Sequence, residues 1–162
     1  MTSSQKCPNL RHHTYLTTRL FIKVNTHVIH KLSDSHTDQL VALFRNEFWC
    51  NTRTRDDVGK MLAHSAITIG LIDSDDNLIG FVRALTDYVY KVMIYDLIVD
   101  PDWRGKQLGN LLMDKIINHP ELKDIPHFDL YCLPDMIEFY QQYGFTAEPA
   151  GLLVMRRDIS GQ

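Results

Sequence analysis

The chain has 162 residues, 44% hydrophobic and 23% charged, with a net charge of −3. That length suits one domain with a sizeable core, and the balance is that of a soluble globular protein. A net negative chain lacks the broad basic face that a nucleic-acid partner requires, no apolar run reaches membrane-spanning length, and three scattered cysteines (Cys7, Cys50, Cys132) imply no disulfide framework.

The first residues lead into polar sequence with no apolar signal core, so a cytoplasmic protein is the expectation. Residues 1–14 are polar and expected to be loose, leaving 15–162 as one domain. Leu16, Leu20, Ile22 and Val24 at even positions predict a half-buried strand, turned at Asn25-Thr26 into a second around Val28 and Ile29. Ser33, Asp34 and Ser35 supply helix-capping chemistry for a helix with Leu40, Leu43, Phe44 and Phe48 on its apolar face. A shorter helix follows Thr54, with Val58, Met61 and Leu62 inward. Residues 66–72 and 78–85 read as strands joined by the acidic turn 73–77. That turn lacks the Gly and distal Glu of a calcium loop and is expected to be solvated.

Residues 92–98, apolar and rich in β-branched side chains, predict a buried strand that Asp96 interrupts. Leu108, Leu111, Leu112 and Ile116 recur at helical spacing until Asn118-His119-Pro120. Residues 128–132 are a further strand. Pro134 then opens a helix with Met136, Tyr140 and Tyr143 on one face and Gly144 at its end. Residues 152–155 read as a closing strand. The order predicts an α/β (α+β-type) sandwich around one mixed sheet, with no repeat, linker or second domain.

Between the Asp96 strand and the following helix lies Asp100-Pro101-Asp102-Trp103-Arg104-Gly105-Lys106-Gln107-Leu108-Gly109-Asn110. Gly105 and Gly109 allow close backbone approach, and Arg104 and Lys106 bring positive charge. The N–H groups of the first helical turn lack partners and favour an anion. A strand–turn–helix of this kind suits a phosphate or pyrophosphate, although G-x-x-x-x-G-K-[ST] is absent. Taken alone, the same residue types describe an ordinary connection with a solvated basic loop.

Residues 104–109 resemble the Arg/Gln-x-x-Gly-x-Gly/Ala signature of the GNAT superfamily of N-acetyltransferases, with Gln107 where the first Gly is usual. Phe139-Tyr140-Gln141-Gln142-Tyr143-Gly144-Phe145 resembles the family's tyrosine on a later helix, shortly before a Gly-Phe. The resemblance covers residues 66–156. It implies a single mixed, mostly antiparallel sheet flanked by helices, in which a central strand pair splays apart. Acetyl-CoA is the implied cosubstrate, with its pantetheine arm in the splay. Amides near Ile98, Val99 and Asp100 would hold the arm and polarise the thioester carbonyl. The pyrophosphate would rest on amides of Arg104, Gly105, Lys106, Gln107, Leu108, Gly109 and Asn110. Tyr140 is the implied acid for the departing thiolate: a phenol of pKa ~10 stays protonated at neutral pH and gives up its proton only modestly uphill. Its alternative is packing against the sheet, the role assigned to Tyr143.

Asp96 has two readings. A buried carboxylate is costly unless paired, so it is satisfied by a cation such as Arg83, or it faces the acceptor pocket to bind or deprotonate an amine. In the resembled family that pocket is walled by the segment joining the first two helices and by the loop before the Asp96 strand, here carrying Trp49, Arg53, Asp87 and Tyr90. Singly, Trp49 and Tyr90 also fit as covers of core edges. Cys50 and Cys132 read as buried small hydrophobes, Asp129 as satisfying local backbone, and His27 and His30 as lying on opposite sides of a strand, which excludes a metal site. The pattern around residues 94–101 and 139–151 looks most like the bacterial and plastid branch containing arylalkylamine acetyltransferases. The implied activity is acetyl transfer to a primary amine, a small amine, arylalkylamine or polyamine, with homodimerisation open. The rival reading is a catalytically idle acyl-CoA-binding module that senses CoA or contacts a protein partner.

Overall fold

The computed structural model describes residues 25–147, 151 and 153–157; the N-terminal segment 1–14 and the strand expected from Leu16 to Val24 lie outside them. The described chain runs β1 (His27–Ile29), α1 (Asp34–Arg45), α2 (Arg55–Ala63), β2 (Ile67–Ile72), β3 (Leu78–Thr86), β4 (Lys91–Val99), α3 (Leu108–Ile117), β5 (His127–Leu130) and α4 (Ile137–Gln141). The five strands form one sheet in sequence order. All pairs are antiparallel except β4 with β5, the parallel pair that α3 crosses over to join. The mixed sheet flanked by helices is the architecture the element order predicts.

Local chemistry sets the element ends. Ser33 caps α1: its hydroxyl accepts from the His36 amide at 3.1 Å, and His36 Nδ1 accepts from the Ser33 amide at 3.4 Å. Since Nδ1 accepts, the ring donates from Nε2 to Asp76 at 3.1 Å, pinning α1 to the β2–β3 turn. Thr54 caps α2 in the same manner, accepting from the Asp57 amide at 3.2 Å. In the turn, Asp73 accepts from the Asn77 side chain and then from the amides of Asn77 and Asp75, bonds that hold its carboxyl below the usual range.

The sheet has a core on each face. Ile69, Leu71, Ile79, Val82, Val92 and Ile94 pack with Leu108, Leu112, Met113 and Ile116 of α3. On the opposite face Phe81 and Ile98 meet Leu40, Leu43 and Phe44 of α1 and Val58 of α2. Val92 and Ile94 therefore face α3, yet Ile98, of the same parity, faces α1. The reason lies at Asp96, whose φ is +55°. Phe81 pairs with Ile98 and Arg83 with Tyr95, so Val82 alone opposes Asp96 and Leu97. That is a β-bulge: one extra residue, which resets the alternation and turns a side chain to a new face.

β5 accompanies β4 only from Lys91 to Ile94, ending at Leu130. Beyond it, Tyr95 to Val99 have no strand partner on that side among the described residues, and β5, the edge strand of the described sheet, ends there rather than running on beside β4 as one of a splayed central pair. Two expectations need correction. Phe48 lies beyond the end of α1 and is 70% exposed, so it does not extend that helix's apolar face. Leu153, Val154 and Met155 belong to no strand and are 89%, 70% and 94% exposed, so no closing strand forms among them; Leu152 lies outside the described residues.

Candidate functional site

The turn leaving β4 begins with a bond from the Asp100 amide to the Ile79 carbonyl at 2.9 Å, which keeps the chain on the sheet past Val99. Asp100 then caps a 3-10 turn, Pro101–Trp103, by accepting from the Asp102 amide. After it φ alternates in sign: −64° at Arg104, +75° at Gly105, negative at Lys106 and +64° at Gln107. Arg104 is extended, with ψ +158°, so Lys106–Gln107, where φ passes from negative to positive, is the pair with the sign pattern of an anion-binding nest. Gln107 is the residue before α3, in the left-handed region where the signature's glycine is at ease. The first turn of α3 contains no acidic residue and Gln107 places no side-chain cap on it. The amides of Leu108, Gly109 and Asn110 thus start a helix with no acidic side chain in its own first turn, an end that favours an anion.

The side chains of this turn have structural uses. Leu108 is buried in the α3 core. Arg104 Nε donates to the Val99 carbonyl at 3.1 Å and its guanidinium pairs with Glu47, tying the turn to the segment after α1. Lys106 Nζ donates to the Asp102 carbonyl at 3.2 Å and lies 4.3 Å from the Trp103 ring centroid. The Arg104 amide is itself taken, donating to the Pro101 carbonyl at 3.3 Å, which removes it from the amides expected to hold a pyrophosphate; those of Lys106 and Leu108 are what this side offers a ligand.

α4 docks on the start of α3. A Cβ on Gly109 would sit 3.5 Å from the Phe139 ring, and the Tyr143 hydroxyl donates to the Asn110 carbonyl at 3.4 Å. Tyr143 thereby has the structural role expected of it. Tyr140, on the same short helix, stacks edge-on against Phe139 at 5.0 Å and Phe145 at 6.1 Å. Burial, and then the neighbouring Cys132 thiol, push its phenol up to about 12. No described residue bonds its hydroxyl, yet that oxygen is not sealed from solvent. The phenol is protonated at every working pH, and giving its proton to a thiolate is further uphill than for the free side chain assumed from sequence.

Asp96 is buried, with a side chain only 2% exposed, and both its oxygens are taken. Oδ2 meets Arg83 Nε at 2.5 Å and Arg53 Nη1 at 3.0 Å, while Oδ1 accepts from Arg53 Nη2 at 3.0 Å. The Arg83 partner was legible from the adjacent strand. The Arg53 partner, 43 residues away, was not, and the bulge aims the carboxylate at it. Arg83 also covers the Tyr95 ring at 4.7 Å, and Arg53 lies 4.5 Å from the Phe44 centroid and 5.8 Å from that of Trp49. Trp49 is 44% exposed.

Asp87 and Tyr90 stand on the β3–β4 hairpin, apart from that cluster. Asp87 accepts from the amides of Val89, Tyr90 and Lys91 at 2.8–3.0 Å. Those bonds, Lys91's foremost, hold its carboxyl down at about 2, so its charge is spent on the turn. Tyr90 is 68% exposed, with Tyr88 and Val89 beside it. Cys50 is buried as expected, its thiol pushed to about 11 by burial. Cys132 is exposed, which corrects that expectation, and Asp129 pairs with Lys91 at 3.3 Å rather than with backbone. An open recess of about 1010 Å³ lies by the far end of α3, between His30, Thr68, Lys115 and His119, and contains none of these groups.

The profile of the Acetyltransferase (GNAT) family matches residues 29–145. "Uncharacterized N-acetyltransferase ycf52" of Porphyra purpurea is 37% identical over 94 residues, 56% of this chain and 54% of that protein. "GCN5-related N-acetyltransferase 2, chloroplastic" of Arabidopsis thaliana is 35% identical over 78 residues, 48% of this chain and 30% of that one. The chain thus spans about half or less of the length of these curated relatives. Among solved structures, a GNAT-family protein of Xanthomonas campestris superposes with a TM-score of 0.68 at 26% identity, covering 82% of this chain and 93% of its own. A GNAT-family acetyltransferase of Staphylococcus aureus, at 20% identity and a TM-score of 0.63, shares the fold over 80% of this chain and 89% of its own.

Proposed function

The chain belongs to the GNAT family of acetyltransferases, and from that premise we propose that it transfers acetyl from acetyl-CoA to a small primary amine. The observation that carries the reading is the turn at Arg104–Gln107, with φ alternating in sign, opening onto a helix whose first turn holds no acidic residue, next to a strand end that β5 leaves unaccompanied. Such a place fits a pyrophosphate at one end and an extended arm along the other.

When bound, acetyl-CoA supplies an acetyl group activated as a thioester. The amides of Gly105, Lys106, Gln107, Leu108, Gly109 and Asn110 bind the phosphates. The main-chain N–H of Val99, in the stretch that β5 leaves unaccompanied, holds the arm and stabilises negative charge on the thioester oxygen; that of Ile98, expected to join it, is turned to Phe81 in the β3–β4 ladder, as the Asp100 amide is to Ile79. The amine nitrogen attacks the acetyl carbon, the carbon–sulfur bond breaks, and the sulfur leaves with the electron pair. Tyr140 would donate its proton there; the acetylated nitrogen would lose one proton to solvent, and solvent would return one to the Tyr140 phenolate, leaving no net change. With both oxygens on guanidinium groups, Asp96 serves by holding Arg53 and Arg83 in place rather than by taking that proton. Trp49 and Arg53 wall the acceptor side; Asp87 shapes the hairpin that displays Tyr90.

Free CoA release from acetyl-CoA, followed against arylalkylamines, polyamines, amino acids and peptides, tests the reading. Acceptor-dependent release supports it; tight CoA binding with no release from any amine favours the idle acyl-CoA-binding module. Replacing Tyr140 with Phe is expected to lower kcat by about 10²-fold while acetyl-CoA affinity holds. An unchanged kcat removes Tyr140 from this role.

A further inference from the structure

Resting on that reading, we propose that Arg53 selects acceptors that carry an anionic group, a carboxylate or a phosphate, beside the reacting amine. Two guanidinium groups surround the single Asp96 carboxylate, so the cluster keeps one positive charge in excess. Arg83 is enclosed, with its side chain 11% exposed, while that of Arg53 is 28% exposed and supplies the open side. Of Arg53's five N–H groups, one on each Nη goes to Asp96 and a second on Nη1 points at the Met61 sulfur, 3.6 Å away. Nε–H and one Nη2–H are left, the two hydrogens along one edge of the guanidinium, a fork that matches a carboxylate or phosphate.

The fork is pre-organised. Asp96 fixes its plane from one edge, and Phe44 and Trp49 flank it. A guanidinium held in this way loses little side-chain freedom when it takes a second anion. It also stands where an acceptor must arrive, because Asp96 belongs to the unaccompanied stretch of β4, two residues before Ile98. A polyamine or simple cationic amine approaching here meets excess positive charge. A zwitterion brings its anion to Arg53 and leaves its amine to face the acetyl group, with the exposed edge of Trp49 available to an apolar body.

The test compares acceptors in pairs that differ only in the anion: phenylalanine with phenylalaninamide, and phosphoethanolamine with ethanolamine, read as acetyl-CoA-dependent CoA release by the full chain. The proposal expects kcat/KM at least tenfold higher for the anionic member of one pair. The phenylalaninamide amine is the less basic and the more uncharged at neutral pH, so that comparison is biased against the proposal. Which pair responds tells carboxylate from phosphate. In Arg53→Gln the ratio within the responding pair is expected to fall to near one, with the loss in KM; a merely structural defect lowers both members alike and leaves the ratio. Should that variant not fold, the wild-type ratios decide alone. Neutral members used as well as or better than anionic ones in both pairs, or a preference that survives Arg53→Gln, overturn the proposal while acetyl transfer stands. No release with any acceptor overturns acetyl transfer itself, and this proposal with it.

Discussion

Tyr140 carries a consequence for stability that is separate from catalysis. The folded chain holds its phenolic proton to about pH 12, against 10.0 for the free side chain. Between those values unfolding releases a proton, so stability falls as pH rises from 10 to 12 and is fully retained below 10. At about 1.4 kcal/mol per unit, the loss approaches 2–3 kcal/mol. Denaturant unfolding at pH 8 and pH 11 is expected to show wild type losing more than Tyr140→Phe over that interval; equal losses contradict the burial assigned to the phenol. Asp96 makes a second prediction. Replacing it with Asn leaves two guanidinium groups without their anion, and breaking a buried pair costs about 3 kcal/mol or more. A fall of that size in the urea midpoint is expected for Asp96→Asn, and a change below about 0.5 kcal/mol contradicts the pairing. Residue-level legibility was uneven for a physical reason. An acid inside an apolar strand announces that it needs partners, and a cation on the next strand is easy to name. Arg53 reaches Asp96 only because a bulge redirects the carboxylate, and no side-chain period encodes a one-residue insertion.

At the level of elements, the turn into α3 departs from the family signature at Gln107 and still keeps the required conformation. A non-glycine residue at φ +64° costs about 1 kcal/mol. A glycine avoids that strain but adds freedom to the unfolded chain worth roughly 0.5–1 kcal/mol, so Gln107→Gly is expected to change stability by less than about 1 kcal/mol and to retain CoA binding. A tenfold loss of CoA affinity contradicts the view that the turn acts through main-chain amides. The α1 cap is simpler: Ser33→Ala removes an acceptor for the His36 amide and is expected to cost about 1 kcal/mol, measured by thermal or urea unfolding. Helices and strands were legible where caps and periodicity agree, as at Ser33, Thr54 and the Asp73 turn. They were not legible at the C-terminal end, where an apolar run at 152–155 has the composition of a strand. Composition does not supply a neighbour to pair with, and its described part forms none.

For the molecule as a whole, two cores on the faces of one sheet fix β4 between α3 and α1, and the bulge lets that strand serve both. It sends Val92 and Ile94 to the α3 side and Asp96 and Ile98 towards α1. In the proposed function the same strand gives its unaccompanied end to the cosubstrate and its acidic bulge to the acceptor side. Fold class and the strand–turn–helix around Arg104–Gln107 were readable because both follow from local pattern, strand then glycine then helix. The Arg53–Asp96 cluster was not, because it is assembled from segments far apart in sequence, Arg53 from the α1–α2 connection and Asp96 from mid-sheet.

The most direct test of the central claim is a titration with coenzyme A followed by the backbone amide resonances of the full chain. Seating in the turn and along the unaccompanied end of β4 predicts the largest shifts at Gly105, Lys106, Gln107, Leu108, Gly109 and Asn110 and along Tyr95 to Val99. Shifts confined to the recess around His30, Lys115 and His119, or none at millimolar ligand, contradict it.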